Sequence, residues 1–425
     1  MIELKKLDGP LGIPVYHQRM PDMVKSVSMG WLILTGSADD TAIGSPGLHH
    51  WFEHVPFRGT KKFPRGAADI EGPFVSMNGY VNAWTDNEAT CYHGTVHDTQ
   101  WRKLLAVITD MVANPLLKAE SVEAERKVIH QEIIGKLGSV EGHMQYQMPK
   151  ILYPGHPFGH HTLGSEESLG TMDVATLKRA HQLGYSRSRA VFICIGNMSE
   201  EELLRELEPL AEELPYNGVV SRRGPAYFGP LPAWQSGVTE HETEFAASIV
   251  NMLFPLPSND GQIPEMMTTT QMCGLLDCIF ENGGMTSPLK RIVREERQLV
   301  YNCSTTWNVC AGGGYFGFRA KAKAKNIEAI IKAFDDVLKD ASLRSPERLA
   351  EIKTSYRAEI EMMPIDTEDF LWKATSQFLN YGGTMRSQRE TIERLDKVTT
   401  DDIATRLSFL DPDKARIIVF RGLGK

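Results

Sequence analysis

A chain of 425 residues with 42% hydrophobic and 24% charged side chains can bury a large core and is long enough for two domains of about 200 residues. Its 46 Lys and Arg against 54 Asp and Glu leave a net charge of −8, which removes any electrostatic case for nucleic-acid binding. No run approaches the ~18 apolar residues of a membrane span, and the six cysteines are scattered without a CxxC pair, so reduced thiols in a cytoplasmic setting are expected.

The opening MIELKKLDGPLGIPVYHQRM has neither the layout of a signal peptide nor the Arg/Ser bias of a transit peptide. In GLHHWFEHVPF (47–57), Leu48, Trp51 and Phe52 supply an apolar side, so a short helix against a core is expected. GYVNAWTDNEATCYHGTV (79–96) alternates as strands do, and DTQWRKLLAVITDMVAN (98–114) has helical spacing. After a Pro-containing break, a charged helix is expected over about 119–138. A helix capped by Asp173 then leads into the apolar strand Ala190–Ile195. PYNGVVSRRGPAYFGPLPAWQSG (215–237), rich in Pro and Gly and without periodicity, reads as a linker.

The same order recurs downstream. LVYNCSTTWNV and GGYFGFRAKAKA alternate as strands, and NIEAIIKAFDDVLKDAS (326–342) is a helix. A break at Ser345-Pro346 precedes a charged helix over 347–362, and a helix capped by Thr400 or Asp401 leads into the strand Ala415–Phe420. The halves therefore read as copies of one α+β unit: a domain over 1–216, a linker over 217–237 and a repeat domain over 238–425. Each is expected to be a mixed, mostly antiparallel sheet with helices packed on one face, with a cleft between the two domains as a favoured binding place.

The chemistry concentrates in the first half. His50 and His54 are four apart, which on a helix sets their rings about 40° apart on one face. Glu53 lies on the same side, and His-x-x-Glu-His is the inverted zincin pattern. That chemistry needs two neutral imidazoles, a third protein ligand, an open position for water, and a carboxylate to take the water's proton. Glu53 suits the last role. SVEAERKVIHQEIIGK (121–136) offers Glu125 and Glu132, seven apart and so nearly on one face. Glu132 can ligate while Glu125 supports it from behind, orienting the ligands. One Zn2+ per chain suits this donor set, although manganese or cobalt also fit it.

Other histidines are set aside. His156 and His160 are four apart, but Pro157 and Gly159 make that stretch a loop. His93 and His97 flank a strand and would stand ~13 Å apart. His130 points away from the Glu132 side of its helix. Gly312-x-Gly314-x-x-Gly317 spells a dinucleotide fingerprint, yet it lies between strands instead of at a strand-to-helix turn.

Over essentially its whole length the chain resembles the M16 (pitrilysin, or insulinase-like) metallopeptidase family, a resemblance that rests on four separated segments. GLHHWFEHVPFRGTKKFP resembles that family's metal helix with the F-[KR]-G-T turn after it. Glu125-Arg126-x-Val128-Ile129-x-x-Glu132, 78 residues beyond His54, resembles its distal acidic segment. The resemblance makes Glu132 the third zinc ligand and Glu125 its supporting acid. Asn82-Ala83-Trp84-Thr85 resembles the edge strand that lines up substrate backbone, which implies substrate binding at Asn82 and Ala83. Arg294-x6-Tyr301 resembles the second-domain Arg and Tyr that reach the scissile carbonyl. Three departures stand out: Gln298 where Gly is usual before Leu-x-Tyr, Pro56 where Met or Leu is common, and PFVSMNGY without the usual paired glycines.

The resemblance implies a zinc-dependent endopeptidase acting on peptides or unfolded segments, similar to short, two-domain processing-peptidase subunits. Such chains pair, so a homodimer or a heterodimer with a related subunit is expected. The alternative it carries is a non-catalytic partner subunit of such a complex.

Overall fold

The computed structural model describes residues 4–216, 225–256, 269–362, 366–380 and 387–424, so residues 217–224 of the expected linker lie outside the described residues. Alternating apolar positions build two sheets. The strands of the first are β1 (Lys5–Asp8), β2 (Pro14–Arg19), β3 (Ser26–Ile33), β4 (Tyr80–Thr85), β5 (Thr90–His97) and β6 (Ala190–Gly196). Their spatial order is β1-β2-β6-β3-β5-β4, antiparallel except where β2 meets β6.

The strands of the second are β7 (Gly237–Thr243), β8 (Ser248–Leu256), β9 (Cys303–Cys310), β10 (Gly313–Ala322) and β11 (Arg416–Gly422). Their order is β7-β11-β8-β10-β9, with only β7 and β11 parallel. With β1 left out, the two orders match strand for strand. The duplicated mixed sheet expected from the sequence is thus what the chain builds. The literal dinucleotide fingerprint falls on the β9–β10 hairpin, with Gly314 and Gly317 inside β10.

The helices stand where periodicity put them: Trp101–Ala113 and the charged Ala119–Leu137 in the first half, Ile327–Leu338 and Pro346–Glu361 in the second. Asp173 caps Val174–Gly184 by accepting from the Thr176 N–H at 2.8 Å. In the second half the cap is Thr399, one residue earlier than expected, in a capping box with Asp402.

Side-chain parity on β3 tells which helix covers which face. Trp31 Nε1 donates to Thr109 Oγ1 at 2.9 Å, which fixes Trp101–Ala113 over one face. Ser28 points the other way and donates to Thr367 Oγ1 at 2.8 Å, so the helix Thr367–Asn380 covers the opposite face. Phe378 of that helix meets Tyr16 edge-on at 5.8 Å. The repeat pattern did not foretell this second cover.

The compact units are accordingly not contiguous in sequence. The first comprises Met1–Lys136, Gln147–Arg223 and Ile365–Ser387; the second comprises Leu137–Tyr146, Gly224–Pro364 and Gln388–Lys425. Each half lends the other unit a segment. His143, in the segment lent to the second unit, lies edge-on to Phe245 and Phe420 at 6.1 and 6.2 Å. The second unit's own core centres on Phe280, Phe316, Phe318 and Phe334, all fully buried.

Candidate metal centre

The helix Leu48–His54 is short because it is held at both ends. Gly47 enters it at φ 90, a left-handed turn that glycine adopts freely, and the turn Val55–Arg58 with Gly59 at φ 135 leaves it. Leu48, Trp51 and Phe52 are fully buried, which turns His50, Glu53 and His54 to the other side. The helix Ala119–Leu137 lies alongside. Its buried stripe is Val122, Glu125, Ile129 and Ile133, so Glu125 stands in an apolar row while Glu132 flanks it. Arg126 ties the two helices together, its guanidinium 4.8 Å from the Trp51 ring.

This packing brings together the residues that spacing selected. His50 Nε2 is 3.7 Å from Glu132 Oε2, and His54 Nε2 is 3.8 Å from Glu132 Oε1. One donor atom from each of His50, His54 and Glu132 lies within 4.8 Å of the others, the one such group among the described residues. Glu125 stands behind His54, accepting from its Nδ1–H at 3.0 Å and from Arg58 Nε. That bond leaves His54 Nε2 facing Glu132. A cavity of about 700 Å3 adjoins Glu53 and His54, walled by Arg58, Arg65, Val81 and Asn82 among others.

The electrostatics follow from burial. His50 is pushed down to about 3 by burial and then by the nearby His54 and His161, so its ring is neutral and can donate a lone pair. Glu53 is pushed up to about 7 by burial, against the opposing hydrogen bond from the Thr85 hydroxyl. Burial lowers His54, but the Glu125 hydrogen bond and the surrounding carboxylates outweigh it and leave a net rise. Burial would raise Glu125, yet its bonds to His54 and Arg58 hold it below the usual carboxylate range. Glu132 is raised by burial. His50 Nδ1 and Glu53 Oε2 are buried with no hydrogen-bond partner. Two imidazoles and a carboxylate whose donor atoms converge in this way fit a divalent cation.

The remaining sequence candidates fall in two places. Asn82 and Ala83 lie on β4, which is the terminal strand of its sheet among the described residues. The Asn82 side chain already accepts from the Ala83 N–H at 2.9 Å. Arg294 and Tyr301 belong to the second unit and meet each other, with the guanidinium 5.0 Å from the ring and Tyr301 85% exposed. Gln298 adopts φ 51 and Asn78 φ 56, left-handed conformations that explain why glycine is usual near both positions.

The discounted histidines are engaged away from the metal centre or buried among other rings. His130 Nε2 is 3.2 Å from Glu166, His160 donates to the Ser37 carbonyl, and His93 is buried with neither ring nitrogen bonded. Sequence reasoning gave no role to Thr85 or Arg58. Arg58 could have been found, since it lies four residues after His54 in the turn that carries the resemblance. Thr85 touches Glu53 only through the packing of β4 on the metal helix.

Residues 20–166 match the family model described as insulinase (peptidase family M16), and residues 171–356 match that of the peptidase M16 inactive domain. A protein named as an uncharacterized zinc protease from Mycobacterium leprae is 25% identical over 401 residues, 93% of this chain and 86% of that one. A protein of the same designation from Streptomyces coelicolor is 24% identical over 98% of this chain and 86% of its own length. A probable mitochondrial-processing peptidase subunit beta from Schizosaccharomyces pombe is 31% identical over 190 residues, 42% of this chain and 40% of that one. Among solved structures, a protease from Helicobacter pylori superimposes with a TM-score of 0.85 at 16% identity, covering 99% of this chain and 100% of that one, which speaks for the fold. The chain belongs to the M16, or insulinase, family of peptidases.

Proposed function

We propose that this chain is a zinc-dependent endopeptidase that cleaves peptides or unfolded segments, with His50, His54 and Glu132 holding one zinc ion and Glu53 as general base. The observation that carries the reading is the convergence of those three donors beside a buried carboxylate that has one unpartnered oxygen. When bound, the ion supplies Lewis acidity, acidifying a water and polarising a carbonyl. Glu53 Oε2 accepts the proton of the attacking water and returns it to the leaving amine. Its elevated pKa suits it to both steps. Glu125 keeps the His54 ring turned by its bond to Nδ1.

The edge of β4 offers main-chain groups to an extended peptide, a mode of recognition that reads backbone before sequence. A peptide carbonyl that pairs with the Ala83 N–H displaces the Asn82 side chain from it. For Arg294 and Tyr301 the support is the family resemblance together with their mutual contact, and both are assigned to substrate binding. The chain works as a homodimer or beside a related subunit, which size analysis of the isolated complex distinguishes.

Zinc content and peptide cleavage, measured on wild type and on His50→Ala, test the reading. One zinc per chain and cleavage products in the wild type, both lost in the variant, are expected. A metal-free, inert wild-type chain would speak instead for a non-catalytic partner subunit.

A further inference from the structure

The entry of the metal helix is held by groups that the proposed chemistry does not use. A helix start leaves its first N–H groups unsatisfied, and Gly47 has no side chain to cap them. Asp40, with no exposed surface, takes that place from outside the helix. Its Oδ2 accepts from the Gly47 N–H at 2.7 Å, and its Oδ1 accepts from the His49 N–H at 3.1 Å. Oδ1 also lies 2.5 Å from His49 Nδ1. A carboxylate only accepts, so Nδ1 donates to it, while Nε2 pairs with the Thr35 hydroxyl at 3.1 Å.

The loop around His160 closes over the same turn. His160 Nε2 donates to the Ser37 carbonyl at 2.8 Å and stands 3.6 Å from Asp40 Oδ2. A Cβ on Gly47 would meet the Cα of Gly164 at 2.8 Å, so the loop lies directly on the helix entry.

A buried carboxylate with this many donors is adequately explained as a stabilising feature. Its placement adds something. The groups it grips belong to Gly47 and His49, and His49 is the immediate neighbour of His50. Any loosening there rotates the first turn, and with it the ring that must face Glu132.

We propose that Asp40 and His49 form a positioning clamp that sets the rotation of the metal helix and so raises the affinity of His50, His54 and Glu132 for zinc. The proposal rests on the metal-centre reading above. Hydrogen bonds made directly to metal ligands are worth about 10–100-fold in metal affinity, and the clamp acts on the same orientation from one residue away.

Zinc dissociation constants, measured by chelator competition on the full chain, provide the test. Each variant is held at a temperature where circular dichroism shows its metal-free form to be folded, which removes a merely structural contribution. His49→Gln keeps a donor only near the Nε2 position and breaks the bond to Asp40; His49→Asn keeps one near Nδ1. Asp40→Asn turns one acceptor into a donor facing backbone N–H groups. Zinc affinity is expected to fall at least about tenfold in His49→Gln and Asp40→Asn and to stay within about threefold of wild type in His49→Asn. Wild-type affinity in both His49→Gln and Asp40→Asn overturns the clamp and leaves the metal centre standing. Should Asp40→Asn not fold, the contrast between the two His49 variants decides. A wild-type chain that binds no zinc overturns the metal centre, and the clamp with it.

Discussion

The two sheets share one strand order, yet the helices on their β4 and β9 edges hold polar groups of opposite kinds. On β4, the helix Leu48–His54 presents His50 and His54, four apart, and leaves His50 Nδ1 and Glu53 Oε2 without partners. On β9, the helix Thr269–Glu281 presents Asp277 and Glu281, also four apart. There, the Thr305 hydroxyl bonds Asp277, and the Thr305 N–H donates to Glu281 Oε1 at 2.7 Å. Lys290 Nζ completes the set at 2.8 Å from Glu281 Oε2. Both helices even use a threonine of the neighbouring strand, Thr85 for Glu53 and Thr305 for Asp277. A polar cluster whose members bond one another has little left to offer an ion. One that stays unsatisfied costs stability and is reactive. The match of residues 171–356 to an inactive domain agrees with that division.

The largest effect is expected from Glu53→Gln. Peptide cleavage is expected to fall by about 10²–10⁴ while zinc stays bound, as turnover assays and metal analysis would show. Undiminished cleavage would remove Glu53 from the chemistry.

The cost of the unsatisfied site comes next. The folded-state pKa of Glu53 is raised from 4.5 to about 7, so folding favours its protonated form. That contribution is present below pH 4.5 and is lost as pH rises through about 7. Gln carries no charge, so metal-free Glu53→Gln is expected to gain on metal-free wild type across this window, by on the order of 3 kcal/mol. Denaturation curves at several pH values measure the gap, and a gap independent of pH would contradict the assigned burial effect.

Glu125→Gln breaks the charged bonds to His54 and Arg58 and is expected to weaken zinc binding by about 10–100-fold, read by chelator competition. The smallest effect belongs to the second unit. Glu281→Gln loses its ion pair with Lys290 and is expected to cost on the order of 1 kcal/mol of stability. Zinc content stays as in the wild type, and a change in it would erase the contrast between the units.

Much of the site was legible because helical geometry is local. His50, Glu53 and His54 share a face whatever lies around them, and Glu125 and Glu132 share one on their own helix. The duplicated sheet was legible too, since the order of strand and helix patterns repeats. What was hidden depends on contacts between distant segments. Thr85 and Glu53 are brought together by a strand packing on a helix. Asp40 looks like an ordinary surface acid in GSADDTAIGS, yet it is buried against Gly47, His49 and His160. Thr400 and Asp401 are the expected caps, and only the backbone angles move the cap to Thr399. The lent segments were illegible for a further reason. Periodicity says which face of the helix Thr367–Asn380 is apolar and nothing about which sheet that face will meet.

A ribosome emits this chain in an order that its packing does not follow. The first sheet has its last strand, β6, in place by Gly196, but Ser28 must wait for Thr367 and Tyr16 for Phe378. At typical synthesis rates that wait lasts roughly ten to thirty seconds. Throughout it, the face of β3 and β6 destined for the late helix lies uncovered. By the time that helix emerges, strands β7 to β10 of the second sheet have already been made. The half that carries the candidate metal centre, although synthesised first, is therefore completed only once the second half has been made.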